Sequence, residues 1–437
     1  MAGTSKSILI GAGLLIFGIL AALFLVEGYL ALGEWGMDKG DDKLRQVDPL
    51  LGWSSIPGLD ETYSRREWTT HVKTNSDGFR DIERAIEKGP GTFRIAVIGD
   101  SFVESLQVNY EDLFTHLLES KLNAGTDRYS RIEVMNFGVR GYGTGQELLN
   151  FREHVAKYDP DMVVLLFYPE NDVADNRVAY ESPSPLYQRP TFNLTGDGVI
   201  EFVPVNRSTA ANADDQLDQS SLSITQRAII AIETRALPHV SALLYNIVRY
   251  DPAVREALSN YGMKKPDYIP NGYYIYSPRY DKRWDSSYIN GNFTEAWKVT
   301  EALLLALKKE SEDSGAKFIL VMATTRSQVY PDWWQESLES YPQMNGQEWD
   351  LEKPNSILGR FAEENSITYI DLLPYFKAYA KDTGPRLFLH YDGHWTKEGH
   401  RVAADAMYRS LILEIQPRAS ASATYESATD PAYKMRL

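Results

Sequence analysis

Residues 93–106 read F-R-I-A-V-I-G-D-S-F-V-E-S-L. The first six are apolar or β-branched apart from Arg94, the pattern of a strand buried on both faces, and a mixed apolar and polar run with helical spacing follows the break at Gly99-Asp100-Ser101. The stretch therefore reads as strand, tight turn, helix. A serine on such a turn stands at the carboxyl end of a strand and near the amino end of a helix. Its hydroxyl is exposed there, and nearby backbone N–H groups can face a developing anion. Ser101 is a candidate nucleophile on this reading. Taken alone, the tripeptide reads equally well as a turn with a serine N-cap.

Working outward, four more runs have strand character: 131–137 (R-I-E-V-M-N-F), 162–167 (M-V-V-L-L-F), 317–323 (K-F-I-L-V-M-A) and 368–372 (T-Y-I-D-L). Helical segments separate them, which predicts a five-stranded parallel sheet covered on both faces, a three-layer α/β/α domain. In open sheets of this kind ligands bind beyond the carboxyl ends of the strands. The chemically suggestive residues fall there. Gly138, Gly141, Gly143 and Gly145 follow the second strand, more glycine than one turn requires, and a missing side chain lets a backbone N–H approach a substrate. Tyr168-Pro169-Glu170-Asn171-Asp172 follows the third strand, and its Asn-Asp pair is by itself a common turn signal. Residues 387–400, L-F-L-H-Y-D-G-H-W-T-K-E-G-H, precede a final helix expected over about 396–414. Serine needs a base, and an imidazole serves best when a carboxylate fixes its tautomer, a task His394 and Asp392 can share. His390, Asp392, His394 and His400 also leave a metal-ligand reading open, although zinc sites usually take three or four well-spaced ligands. The expectation is no metal and no cofactor.

In this order I-G-D-S-F, N-F-G-V-R-G, Y-P-E-N-D and D-G-H-W resemble the four blocks of the SGNH (GDSL-type) hydrolase family, which supply Ser, Gly, Asn and His. The resemblance covers about 93–172 and 318–412. It implies a flavodoxin-like fold and an acyl-serine mechanism: Ser101 as nucleophile, His394 as base, Asp392 orienting it. The backbone N–H groups of Ser101 and Gly141 would receive the oxyanion together with the Asn171 side chain. Three departures stand out. Phe102 and Val103 follow the serine where the family's name has Leu, Pro169 replaces a usual Gly, and the acid and base are spaced D-x-H where D-x-x-H is common. The D-x-H-W-T form resembles SGNH-like proteins of alginate O-acetylation.

The chain has 437 residues, 45 Lys and Arg against 60 Asp and Glu, a net charge of -15 and no cysteine. Its acidity argues against nucleic acid as a partner, and the missing thiols remove disulfides, thiolate metal sites and a Cys nucleophile. Residues 8–26 form an uncharged apolar run of a length that spans a bilayer, read as an uncleaved single-pass anchor with the body outside the cytoplasm. The expected organisation is an anchor at 1–34, an extended linker and hairpin region at 35–92, an SGNH-like domain at 93–415 with a large insertion at 173–316, and a tail at 416–437. In the linker, Asn75–Gly78 has turn chemistry and Arg80 is expected in a surface salt bridge. The insertion reads as an extended lid to about Ser220, an apolar helical stretch over 221–250 broken at Pro238, and a tyrosine-rich piece with Tyr268, Tyr273, Tyr274, Tyr276 and Tyr280. These tyrosines and Trp333-Trp334 suit either loop packing or stacking on sugar. His71, His116, His154, His239 and His400 are expected to pack. The functional expectation is an esterase acting on an O-acyl ester, with a cell-envelope carbohydrate as the candidate substrate and an O-acetyltransferase or a glycan-binding module without turnover as alternatives.

Overall fold

The computed structural model describes residues 41–176, 189–196, 198–205, 271–277, 283–285, 290–381 and 384–415, together with Gly18. The apolar run at 8–26 (Gly18 apart), most of the insertion with Tyr268, Tyr280 and His239, and the tail at 416–437 lie outside these residues. Among the described residues no helix is long and apolar enough to cross a membrane.

Two short antiparallel hairpins come first. β1 (Arg45–Asp48) pairs with β2 (Gly52–Ser55), and β3 (Asp60–Ser64) pairs with β4 (Thr69–Lys73). The central sheet holds β5 (Thr92–Gly99), β6 (Arg131–Gly138) and β7 (Met162–Phe167). Two small hairpins follow, β8 (Thr191–Leu194) with β9 (Ile200–Val203) and β10 (Arg283–Asp285) with β11 (Asn290–Asn292). The sheet is completed by β12 (Lys317–Met322) and β13 (Thr368–Asp371). Its order is β13-β12-β7-β5-β6, parallel throughout. The five strands are those the apolar runs predict.

β7 explains why the sheet is buried on both sides. Val163, Leu165 and Phe167 join one apolar cluster, with Leu303 and Leu307 of the helix Phe293–Asp313 and Leu358 of the helix Lys353–Glu364. The alternate residues Met162, Val164 and Leu166 join another, with Leu118 of the helix Phe114–Gly125 and Met407 and Leu411 of the helix Lys397–Ile415. Alternation with period two sends successive side chains to opposite faces, so a strand apolar at every position needs two covers. From β5 the chain moves outward to β6 on one side and returns to β7 on the other. That reversal makes a crevice at the carboxyl ends of β5 and β7, where Ser101 and Asn171 follow their strands.

Candidate active site

Ser101 opens a one-turn helix, Ser101–Glu104, directly after β5. The cap is Asp100 and not the serine: its Oδ1 accepts from Phe102 N–H at 2.9 Å, which leaves the Ser101 hydroxyl for other work. Asp100 is fully buried, and burial raises its pKa, partly offset by the Phe102 N–H and the Asn171 amide. Asn171 Nδ2 donates to Asp100 Oδ2 at 3.0 Å. A side-chain amide has two N–H bonds, so this contact fixes the orientation of the group with one donor left over.

The loop before the last helix brings the base to the serine. His394 Nε2 lies 2.7 Å from Ser101 Oγ, and His394 Nδ1 lies 2.5 Å from Asp392 Oδ1. The ionised carboxylate only accepts, so Nδ1 carries the proton and Nε2 is left to accept from the serine hydroxyl. Burial alone would raise the pKa of Asp392, but the hydrogen bond and charge of His394 and the Trp68 indole N–H hold it down at about 2. The compressed D-x-H spacing works because Gly393, between acid and base, has φ +83°. An extended chain would put Asp392 and His394 on one side in succession without folding them together. The left-handed turn does so, and glycine enters that region without steric cost.

On the other flank, Gly141 has φ +74° in the loop after β6. The carbonyl of the preceding residue, Arg140, accepts from Trp53 Nε1 at 3.1 Å and from Arg45 Nη2 at 3.2 Å. In a planar trans peptide the C=O and N–H point opposite ways, so two donors on the Arg140 carbonyl aim the Gly141 N–H away from the β1–β2 hairpin. The Arg140 N–H in turn donates to Glu104 Oε2 at 3.0 Å, and Ser55 Oγ donates to Glu104 Oε1 at 3.1 Å. The other glycines of the cluster have packing roles. A Cβ on Gly138 would stand 2.2 Å from Glu104 N, one on Gly145 would stand 2.0 Å from Phe192, and one on Gly143 would stand 3.0 Å from the Asp175 Cβ.

The remaining sequence candidates are distributed as follows. Arg80 is not in a surface salt bridge: it is buried and donates to the carbonyls of Ser105 and Val108, because the chain after the serine helix turns inward and needs a donor there. His71 does not pack inside; it is exposed and lies 2.9 Å from Asp60. His116 packs at a tilt against Tyr110, and His154 meets Phe79 edge to face. His400 is buried, and its Nδ1 accepts from Phe114 N–H at 3.2 Å. His390 Nδ1 accepts from Trp333 Nε1 at 3.1 Å, so His390 and His400 turn to separate partners. Among the described residues no group of three or more His, Asp or Glu is arranged to hold a metal. Tyr273 and Tyr276 each pack edge to face against Trp334, and Tyr276 OH donates to Glu170 at 2.9 Å.

Two residues of the amino-terminal region meet the base loop without having been legible as site residues. Trp68 Nε1 donates to Asp392 Oδ2 at 2.9 Å. Glu67 accepts from the backbone N–H groups of His390, Tyr391 and Asp392 at 2.8, 2.7 and 2.8 Å.

Residues 287–434 match the family model of the SGNH hydrolase-like domain of acetyltransferase AlgX, a match that takes in Asp392 and His394 and stops short of Ser101. No curated protein sequence matches the chain. Solved structures similar to it include an α/β hydrolase from the metagenome of Lake Arreo, Spain, at 14% identity over 73% of this chain and 94% of that one, with a TM-score of 0.35. An acetylxylan esterase from Geobacillus stearothermophilus, in a catalytic mutant, aligns at 13% identity over 73% and 94% with a TM-score of 0.34. A GDSL-like lipase from Bacteroides thetaiotaomicron aligns at 12% over 74% and 89% with a TM-score of 0.31. Over residues 287–434 the chain is similar to an SGNH hydrolase-like acetyltransferase domain.

Proposed function

We propose that this chain transfers an acyl group from an O-acyl ester through an ester on Ser101. His394 Nε2 takes the hydroxyl proton as Oγ attacks the ester carbonyl, and Asp392 stabilises the imidazolium. The oxyanion is received by the Ser101 N–H, a first-turn helix donor with no partner inside its helix, by the Gly141 N–H and by the second N–H of Asn171. His394 returns its proton to the departing alcohol, which leaves an acyl-serine. Water then gives a carboxylic acid and a free serine; a sugar hydroxyl gives a new ester.

The observation that carries this reading is the continuous line from Ser101 Oγ through His394 to Asp392, with links of 2.7 and 2.5 Å. Ser101→Ala should abolish turnover of p-nitrophenyl acetate and labelling by a fluorophosphonate while the thermal midpoint stays within a few degrees of the parent. Turnover that survives the substitution overturns the mechanism. The matched family's description as an acetyltransferase favours transfer to an acceptor hydroxyl over transfer to water, and an acetylated donor assayed with and without an acceptor sugar separates the two. Acceptor-independent acetate release supports an esterase; acetate appearing on the sugar supports a transferase. The apolar run at 8–26 supports an anchored chain, and we place its body outside the cytoplasm. A reporter active only outside the cytoplasm, fused after residue 415, should be active, and a silent fusion overturns that placement.

A further inference from the structure

We infer that Trp68 and Glu67, on the turn between β3 and β4, are positioning residues for the acid and base of the site. The inference rests on the acyl-transfer reading above and adds to it a part of the chain upstream of the five-stranded sheet. Each Asp392 oxygen has its own donors. Oδ1 faces His394 Nδ1 at 2.5 Å and Gln107 Nε2 at 3.2 Å, and Oδ2 takes the indole N–H of Trp68 at 2.9 Å. A carboxylate bonded through one oxygen can swing about its Cβ–Cγ bond. One bonded through both is fixed in the plane that presents Oδ1 to the imidazole.

Glu67 works on the backbone beneath. Its two oxygens accept from three successive N–H groups, His390, Tyr391 and Asp392, so the loop is wound around a carboxylate just before Gly393 turns the chain to His394. Successive backbone N–H groups in a turn form a concave nest that suits an anion. The same turn is tied down by Arg66, whose guanidinium lies 3.6 Å from the centre of the Tyr391 ring, and by Trp68 against Tyr63 at 5.5 Å. Three consecutive residues of one hairpin turn therefore grip the segment that carries the acid. A misplacement of about 1 Å at such a site costs up to about 10²-fold in rate, so loss of these contacts should appear in kcat.

The test replaces Trp68 by Phe, which keeps the ring against Tyr63 and removes the N–H. Expected is a fall in kcat on p-nitrophenyl acetate of about 10- to 100-fold with KM within about twofold. The acidic limb of the pH profile should also move to higher pH. Asp392 without that donor is a stronger acceptor and holds the proton on His394 more firmly. In the Asp392→Asn background the same replacement should cost little more, because its effect runs through Asp392; equal cost in both backgrounds assigns Trp68 a merely structural role and overturns the inference. If Trp68→Phe does not fold, Glu67→Gln carries the test with the same readouts. It keeps one acceptor oxygen and puts an amide donor against the N–H groups. Ser101→Ala is measured alongside. Turnover that survives it removes the acyl-transfer reading, whereas a dead Ser101→Ala beside a Trp68→Phe of unchanged kcat and pH profile removes only the positioning inference.

Discussion

On one side of Ser101 the Gly141 loop is clamped by the β1–β2 hairpin through Trp53, Arg45 and Ser55, and the clamp closes on the buried Glu104 of the serine helix. On the other side the Asp392–His394 loop is gripped by the β3–β4 hairpin through Glu67 and Trp68, much of it at the protein surface. Both hairpins belong to one short stretch of chain, yet they hold by different physics. The first is a buried network in which the Glu104 carboxylate faces the Arg140 guanidinium at 3.2 Å, with both side chains about 5% exposed. The second is a set of charge-assisted hydrogen bonds, two exposed and two part-buried. A buried charge stripped of its partner is expensive, whereas a surface contact is worth little to stability and can still fix geometry. Damage on the first side should therefore appear in folding, and damage on the second in rate.

Glu104→Ala tests the contrast most severely. It removes the carboxylate that faces the buried Arg140 guanidinium and should cost up to about 3–5 kcal/mol of unfolding free energy, read from urea denaturation. A loss below about 1 kcal/mol would mean that the clamp is not the structural element described here. Asn171→Ala, beyond the end of β7 and outside that clamp, separates chemistry from folding. Removing one oxyanion donor should lower kcat by about 10²–10³-fold, with KM changed far less. An unaltered kcat removes Asn171 from the oxyanion group.

The base flank should carry a pH dependence through a buried imidazole. Burial, followed by the positive charges of Arg80 and His394, depresses the His400 pKa from 6.5 to about 3. The unfolded chain therefore takes up a proton near pH 6.5 that the folded chain refuses until about pH 3. Above pH 6.5 the group contributes no slope; between there and pH 3 stability should fall by a few kcal/mol as pH is lowered. Urea midpoints at pH 7, 5 and 4 measure the slope, and His400→Gln should flatten it. An equal slope in that variant assigns the acid sensitivity elsewhere. The smallest effect is expected from Gly393→Ala. The position has open space for a methyl group, so the cost is the left-handed backbone alone, about 1–2 kcal/mol. If the loop relaxes to avoid it, Asp392 and His394 part and kcat falls with little change in Tm; an unchanged kcat would mean that the turn tolerates a side chain.

The amino-acid sequence by itself determined the sheet, because runs such as M-V-V-L-L-F at 162–167 can be satisfied only between two apolar covers, and it marked Ser101, Gly141, Asn171, Asp392 and His394 as the chemically distinctive groups at the strand ends. Apolar periodicity and short motifs are local, and local patterns survive in a one-dimensional reading. Only the tertiary structure decided that a tryptophan and an aspartate 324 positions apart share a hydrogen bond, that Arg80 is buried under carbonyls, and that most of the clustered glycines make room for neighbours. The physical reason is that a polar side chain in a loop carries no periodicity and no spacing rule. Its role is set by which backbone groups folding leaves without water, and those groups come together only once the sheet has brought distant segments to one edge.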